Sequence, residues 1–243
     1  MPNNSPSETA PHTDAPKPDP RARLVDALMR LASERPFEEI SIRDICAEAD
    51  VSLADFRDLF PSKGAVLGAF SRRIDRAVLA HPADEAPLET PRDRLFDVLM
   101  RRLDAMAPYR DGLREIYGWA RRDPIALLRI NQAVVNSMRF MMEAAEVDTE
   151  GGVGALKLQG LALAWARVLA VWFDDSAPEF AKTMAALDKE LTQGQRWVSG
   201  AETLERIASP LKAIVSAAMD TRKRAREAFR RRPTDDKPAE ERV

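Results

Sequence analysis

The sequence predicts an all-α fold, in which a small N-terminal helix-turn-helix unit precedes a larger helical body. Two observations lead there. The 243 residues are 45% hydrophobic and 31% charged, with only 10 Gly and 2 Tyr, and the abundance of Ala, Leu, Arg and Glu favours helix over strand. Helix punctuation is also legible, because Ser, Thr or Asp at an N-cap recurs with Pro at the first helical position or an acid three residues on.

Taken in order, residues 1–18 are rich in Pro, Asn, Ser and Thr. They lack an apolar h-region and an Arg-rich amphipathic pattern, so a disordered tail is expected and not a targeting signal. Asp19-Pro20 opens a helix with Leu24, Leu28, Leu31 and Ala32 on one face, and Arg35-Pro36 closes it. Ser41 with Asp44 caps a short helix carrying Ile42, Ile45 and Cys46. Ser52 with Asp55 caps a still shorter one after a three-residue turn, with Val51 placed to staple onto Phe56. Pro61-Ser62 begins a longer helix that ends before His81-Pro82. The acid- and proline-rich stretch 82–89 has no periodicity and marks the boundary between a head, residues 19–80, and a body, residues 81–220.

In the body, Thr90-Pro91 with Asp93 opens a helix that Pro108 stops, and a second helix lies near 109–119. Asp123-Pro124 opens a long third one. Gly151, Gly152 and Gly154 are expected to break the chain as an inter-helix loop. Residues 156–173 are apolar nearly all round, and Ser176 with Pro178 and Glu179 is expected to cap a helix through Phe180, Met184, Leu187 and Leu191. A short turn near 201–208 precedes a last helix, which turns basic beyond Met219 and leaves residues 221–243 as a basic helix end and tail.

Several function classes are set aside by composition. The single Cys46 cannot form an intramolecular disulfide and gives no sign of an oxidising compartment; it falls on an apolar helix face as a small core residue. Only His12 and His81 exist, in a tail and at a helix end. No metal site, catalytic triad, enzyme activity or cofactor is therefore expected. The longest apolar run, 161–173, contains Arg167 and is shorter than the roughly 18 residues of a membrane span, so a cytoplasmic protein without a membrane partner is expected.

Three helices of this length with a three-residue turn between the second and third describe a helix-turn-helix, whose last helix can enter the major groove of DNA. The run Phe37-Glu38-Glu39-Ile40-Ser41-Ile42-Arg43-Asp44-Ile45-Cys46-Ala47-Glu48-Ala49-Asp50-Val51-Ser52, followed by Phe56, Phe60, Ser62-Lys63 and Leu67, resembles the DNA-binding signature of the TetR family. The resemblance implies that Ser41 caps the second helix and touches phosphate, that Ser52, Leu53, Ala54 and Arg57 lie on the reading helix, and that Lys63 binds phosphate. Phe56 stands where the family usually has a DNA-contacting Tyr, and Asp50 where it usually has Gly. Independently of the family, a hydroxyl and an ammonium beside helix N-terminal amides suit phosphate, while Arg57 and Arg43 can reach base edges. Residues 20–73 hold nine Lys or Arg and nine Asp or Glu, so the head is neutral overall.

The resemblance also implies a ligand-binding and dimerisation body, hence a repressor released from a palindromic operator by a small apolar effector. The Met and aromatic content of the middle body fits an apolar pocket, for which Leu103, Trp119, Asn131, Met138, Met142, Trp165 and Arg167 are the candidate residues. Arg167, set in an apolar helix, needs an acid: Asp174 of a second copy or a ligand carboxylate. Pairing the apolar helices 156–173 and 180–191 with their copies across a two-fold axis makes a four-helix bundle, and a homodimer suits a palindromic site. The alternative is a lipid- or isoprenoid-binding protein without DNA binding, since the body and basic end faintly resemble the lipid-binding proteins of ubiquinone biosynthesis.

Overall fold

The computed structural model describes residues 19–80 and 90–196. By internal contacts the chain divides into residues 1–191 and 192–243. Helix α1 (Pro20–Glu34) begins where the Asp19 carboxylate accepts from the Arg21 N–H, with Pro20 at its first position. Its Leu24, Leu28, Leu31 and Ala32 are buried, as the periodicity requires. After a 3-10 turn (Phe37–Glu39), α2 (Ile42–Ala49) starts with a full capping box, in which the Ser41 hydroxyl accepts from the Asp44 N–H and the Asp44 carboxylate accepts from the Ser41 N–H. Those bonds to Ser41, aided by Arg35, hold the Asp44 carboxyl below its ordinary pKa. Helix α3 (Leu53–Leu59) is capped by Ser52, and α4 (Lys63–Leu79) by Ser62.

Helix α5 (Pro91–Met106) is capped by Thr90, and a 3-10 turn across Pro108 leads into α6 (Arg110–Arg122). Asp123 then caps α7 (Pro124–Ala144). Helix α8 (Gly151–Asp174) corrects the glycine-loop expectation. Gly151 and Gly152 start this helix instead of breaking the chain, and Gly154 allows its first turn to press on the preceding strand of backbone. A Cβ at Gly154 would lie 2.1 Å from the Thr149 carbonyl oxygen, which only a glycine tolerates.

Helical conformation resumes over 181–196 (α9) after a 3-10 turn, Pro178–Phe180. Its start is organised by Asp175, not by the expected Ser176. The Asp175 carboxylate accepts from the N–H of Ala177 and from both the N–H and hydroxyl of Thr183, at 2.8–3.0 Å. Acceptance of those bonds holds its pKa low against the opposing effect of burial. The turn near 201–208, the basic helix end and the tails lie outside the described residues.

One apolar core runs from Leu24 in α1 to Leu191 in α9. Helix α4 joins head to body, packing on α1 at one end and on α5 and α7 at the other. Helix α6 lies against α1, and the approach is close at Gly112, where a Cβ would stand 2.7 Å from the Met29 carbonyl oxygen. Several arginines act as helix C-caps for neighbouring helices, where carbonyls and the helix dipole concentrate negative potential. Arg21 donates to the Leu59 carbonyl at 2.7 Å, Arg23 to those of Ala49 and Asp50 at 2.8 and 2.9 Å, and Arg110 to that of Asp175 at 2.6 Å.

Candidate nucleic-acid interface

Helix α3 is short, and its sequence divides it cleanly. Phe56 is only 2% exposed and meets Phe60 at 6.0 Å between ring centroids, so this pair anchors the helix to the head core. Phe56 therefore leaves the set of candidate DNA contacts: the apolar side of a seven-residue helix needs its one large ring inside. The opposite side carries Leu53, 51% exposed, with Ala54 and Arg57, also exposed. Arg43 on α2 is exposed as well.

The turn between α2 and α3 explains how Asp replaces Gly. Asp50 has φ 50 and ψ 51, a left-handed conformation that Asp tolerates better than most residues. Arg23 holds it there, donating to the Asp50 carbonyl and lying 3.6 Å from its carboxylate.

Neutrality of the head conceals an uneven distribution of charge. Arg30 pairs with Glu48, Arg35 with Asp44 and Arg73 with Asp26, at 2.6–3.2 Å. Arg21 and Arg23 are turned to backbone carbonyls. Lys63, expected at a phosphate, is also turned inward: its ammonium donates to the carbonyls of Phe37 and Ile40 at 2.6 and 2.8 Å and sits 4.1 Å from the Phe37 ring centroid. Burial draws its pKa below the ordinary lysine value, against Glu38. Those bonds close the 3-10 turn that enters α2. Ser41 and Ser52 likewise direct their hydroxyls to Asp44 and Asp55, at 2.7 and 2.6 Å. Arg43 and Arg57 remain outward, without an internal partner among the described residues.

In the body, the seven candidate ligand residues do not gather around one opening. Leu103, Met138, Met142 and Trp165 are buried in the common core. Trp119 packs on Phe37 with centroids 4.6 Å apart, at the contact between head and body. Asn131 accepts from Gln159 at 3.4 Å across α7 and α8. Arg167 is exposed and pairs at 2.9 Å with Glu190 on α9 of the same chain. A groove of about 540 Å³ lies elsewhere, between α5 and α9.

Two solved structures share this arrangement of helices. A TetR transcriptional regulator from Nitrosomonas europaea ATCC 19718 superposes with a TM-score of 0.56 at 22% identity, over 72% of this chain and 97% of that one. The fold is that of the TetR transcriptional regulators. A second TetR regulator, from Rhodococcus sp. RHA1, gives a TM-score of 0.53 at 18% identity, over 72% of this chain and 95% of the other. No protein-family model and no curated protein sequence matches the chain. In this TetR fold the face formed by Arg43, Leu53, Ala54 and Arg57 belongs to the helix-turn-helix.

Proposed function

We propose that the chain is a DNA-binding transcriptional regulator, a homodimeric repressor that a small effector releases from a palindromic operator. Residues 19–80 form the DNA-binding head in this reading and residues 81–220 the effector and dimer body, acting in the cytoplasm. The observation that carries it is the outward face of α3, where Leu53, Ala54 and Arg57 stand free of the core, with Arg43 exposed on the preceding helix α2. An apolar pair suits thymine methyl groups, and a guanidinium suits guanine O6 and N7. The lipid-binding alternative is not favoured, since it leaves this face without a role.

The test is a salt-titrated binding assay with DNA from the promoter of the chain's own gene. Arg57→Ala should weaken binding by about fivefold to 150-fold, as expected for loss of about 1–3 kcal/mol at a base edge. Equal affinity of Arg57→Ala and the parent protein would sink the reading. Lys63→Ala should lower thermal stability and leave the salt slope alone, in keeping with its internal bonds.

Dimer formation is supported by α8. Its Leu156, Leu163 and Val171 are exposed, and they share a face with Gly160, which also meets solvent. Among the described residues α8 is the helix long and apolar enough to cross a membrane, longer than the run 161–173 gave to expect, and 44% of its most apolar stretch is buried in the chain. A second copy would cover the remainder. Leu187, the obvious site for a disrupting charge from heptad spacing, is 1% exposed within its own chain, so a charge there tests folding instead. Leu163→Arg, at a position 53% exposed, should give folded monomers in light scattering; folded dimers would place the interface elsewhere.

A further inference from the structure

We propose that the seam between α5 and α9 binds an organic cation with an apolar body. The inference deepens the effector-release reading and depends on it only for the consequence at DNA. The groove has an apolar floor of Phe96, Met100 and Met184 and a charged rim of Arg92, Asp93, Asp97 and Asp188. Its volume of about 540 Å³ falls within the range of about 300–1,000 Å³ typical of small-molecule sites.

The rim decides the sign of the ligand. Three carboxylates face one guanidinium, and that guanidinium is already engaged: Arg92 donates to Asp93 at 3.0 Å and to Asp188 across the seam. Asp97 accepts from Arg101 at 2.9 Å, and Arg101 also donates to the Val78 carbonyl at 3.1 Å. Counting Arg101 with the rim still leaves one negative charge in excess. Hydrogen bonds from Thr90 and Arg92 keep the Asp93 carboxyl below its ordinary pKa, so it is ionised at neutral pH. An anion entering the groove would lose water and face three carboxylates, whereas a cation gains attraction at the rim while its apolar part meets the floor.

The floor sets the rest of the class. Two methionines adapt their shape to different ligands, and Phe96 offers a ring face or edge to alkyl or ammonium groups. The rim residues also tie the two helices together, because the Arg92–Asp188 pair bridges α5 to α9. A ligand seated between them would compete for Asp188 and alter that tie.

The test uses the full chain in isothermal titration calorimetry with three probes of equal tail length: octyltrimethylammonium, octanol and octanoate. The ammonium should bind at least about tenfold more tightly than octanoate, with octanol between. Met100→Trp should fill the groove and abolish binding while circular dichroism and melting temperature stay near those of the parent. If Met100→Trp does not fold, Phe96→Ala gives the same reading through a weakened floor. Asp97→Asn should narrow the preference for the ammonium over octanoate. Octanoate binding as tightly as the ammonium, or probe binding indifferent to both floor substitutions, overturns the proposal. Promoter binding by the same ligand-free preparation reports separately on the DNA reading, so loss of one leaves the other standing.

Discussion

Replacing Asp75 by alanine is expected to lower the free energy of unfolding by about 3–5 kcal/mol, the usual cost of leaving one half of a buried ion pair behind. Asp75, in α4, is 9% exposed and accepts from the Arg102 guanidinium of α5 and from the Ser137 hydroxyl of α7 at 2.5 Å. Arg102 is 5% exposed, donates also to Ser71 at 3.3 Å, and lies 5.8 Å from the Trp165 ring centroid. Its Nε has no hydrogen-bond partner among the described residues, and burial draws its pKa down while Asp75 holds it up. Removing Asp75 strands a guanidinium in the core. Urea unfolding measures the loss directly, and the double variant Asp75→Leu, Arg102→Met should recover most of it, because an apolar pair of similar volume needs no counter-charge. A loss below about 1 kcal/mol, or no rescue by the double variant, would show that water reaches the pair.

This cluster ties the helix that leaves the head to two helices of the body, and nothing in the sequence announces it. Asp75, Arg102 and Ser137 are far apart in the chain, and each reads locally as an ordinary polar residue of an amphipathic helix. The elements that were legible depend on neighbours in sequence. The Asp19-Pro20, Ser41–Asp44, Thr90-Pro91 and Asp123-Pro124 starts all fall where caps and prolines put them. Capping is a matter of three or four adjacent residues, so the sequence holds it complete.

Elsewhere a partner distant in sequence decides the conformation. Gly151–Gly154 looked like a breaker, yet α8 begins there because Gly154 lets the chain pass Thr149. Lys63 stands at the start of α4, a place that suits a phosphate by its sequence neighbours. The carbonyls of Phe37 and Ile40 capture its ammonium first. Arg167, set in an apolar helix, needs an acid, and the helix turns it outward to Glu190, 23 residues on. Phe56 occupies a position where related sequences carry a Tyr, and without the hydroxyl its ring is free to sink into the core.

The contact between head and body makes the last prediction, and it centres on Phe37. Its ring is buried between Trp119 of α6, 4.6 Å away at a tilt of 50°, and the Lys63 ammonium, 4.1 Å away. Its N–H donates to the Glu115 carboxylate at 3.2 Å, and its carbonyl accepts from Lys63 at 2.6 Å. Arg122 lies 3.6 Å from Glu38 on the same turn. Phe37→Ala keeps the backbone bonds and removes only the ring, so the expected loss of about 3–5 kcal/mol measures packing and cavity formation. Phe37→Leu retains most of the volume and should cost less. A double-mutant cycle between Phe37→Leu and Trp119→Leu should give a coupling of about 0.5–1.5 kcal/mol, the range for an aromatic pair beyond its burial. Because this pair joins the turn entering α2 to a body helix, Trp119→Leu should also change promoter affinity although Trp119 lies on α6, outside the face formed by Arg43, Leu53, Ala54 and Arg57. Zero coupling in the cycle would show that the two rings touch without holding head and body together, and would leave that joint to α4 with its Asp75 cluster and to the Gly112 approach of α6 to α1.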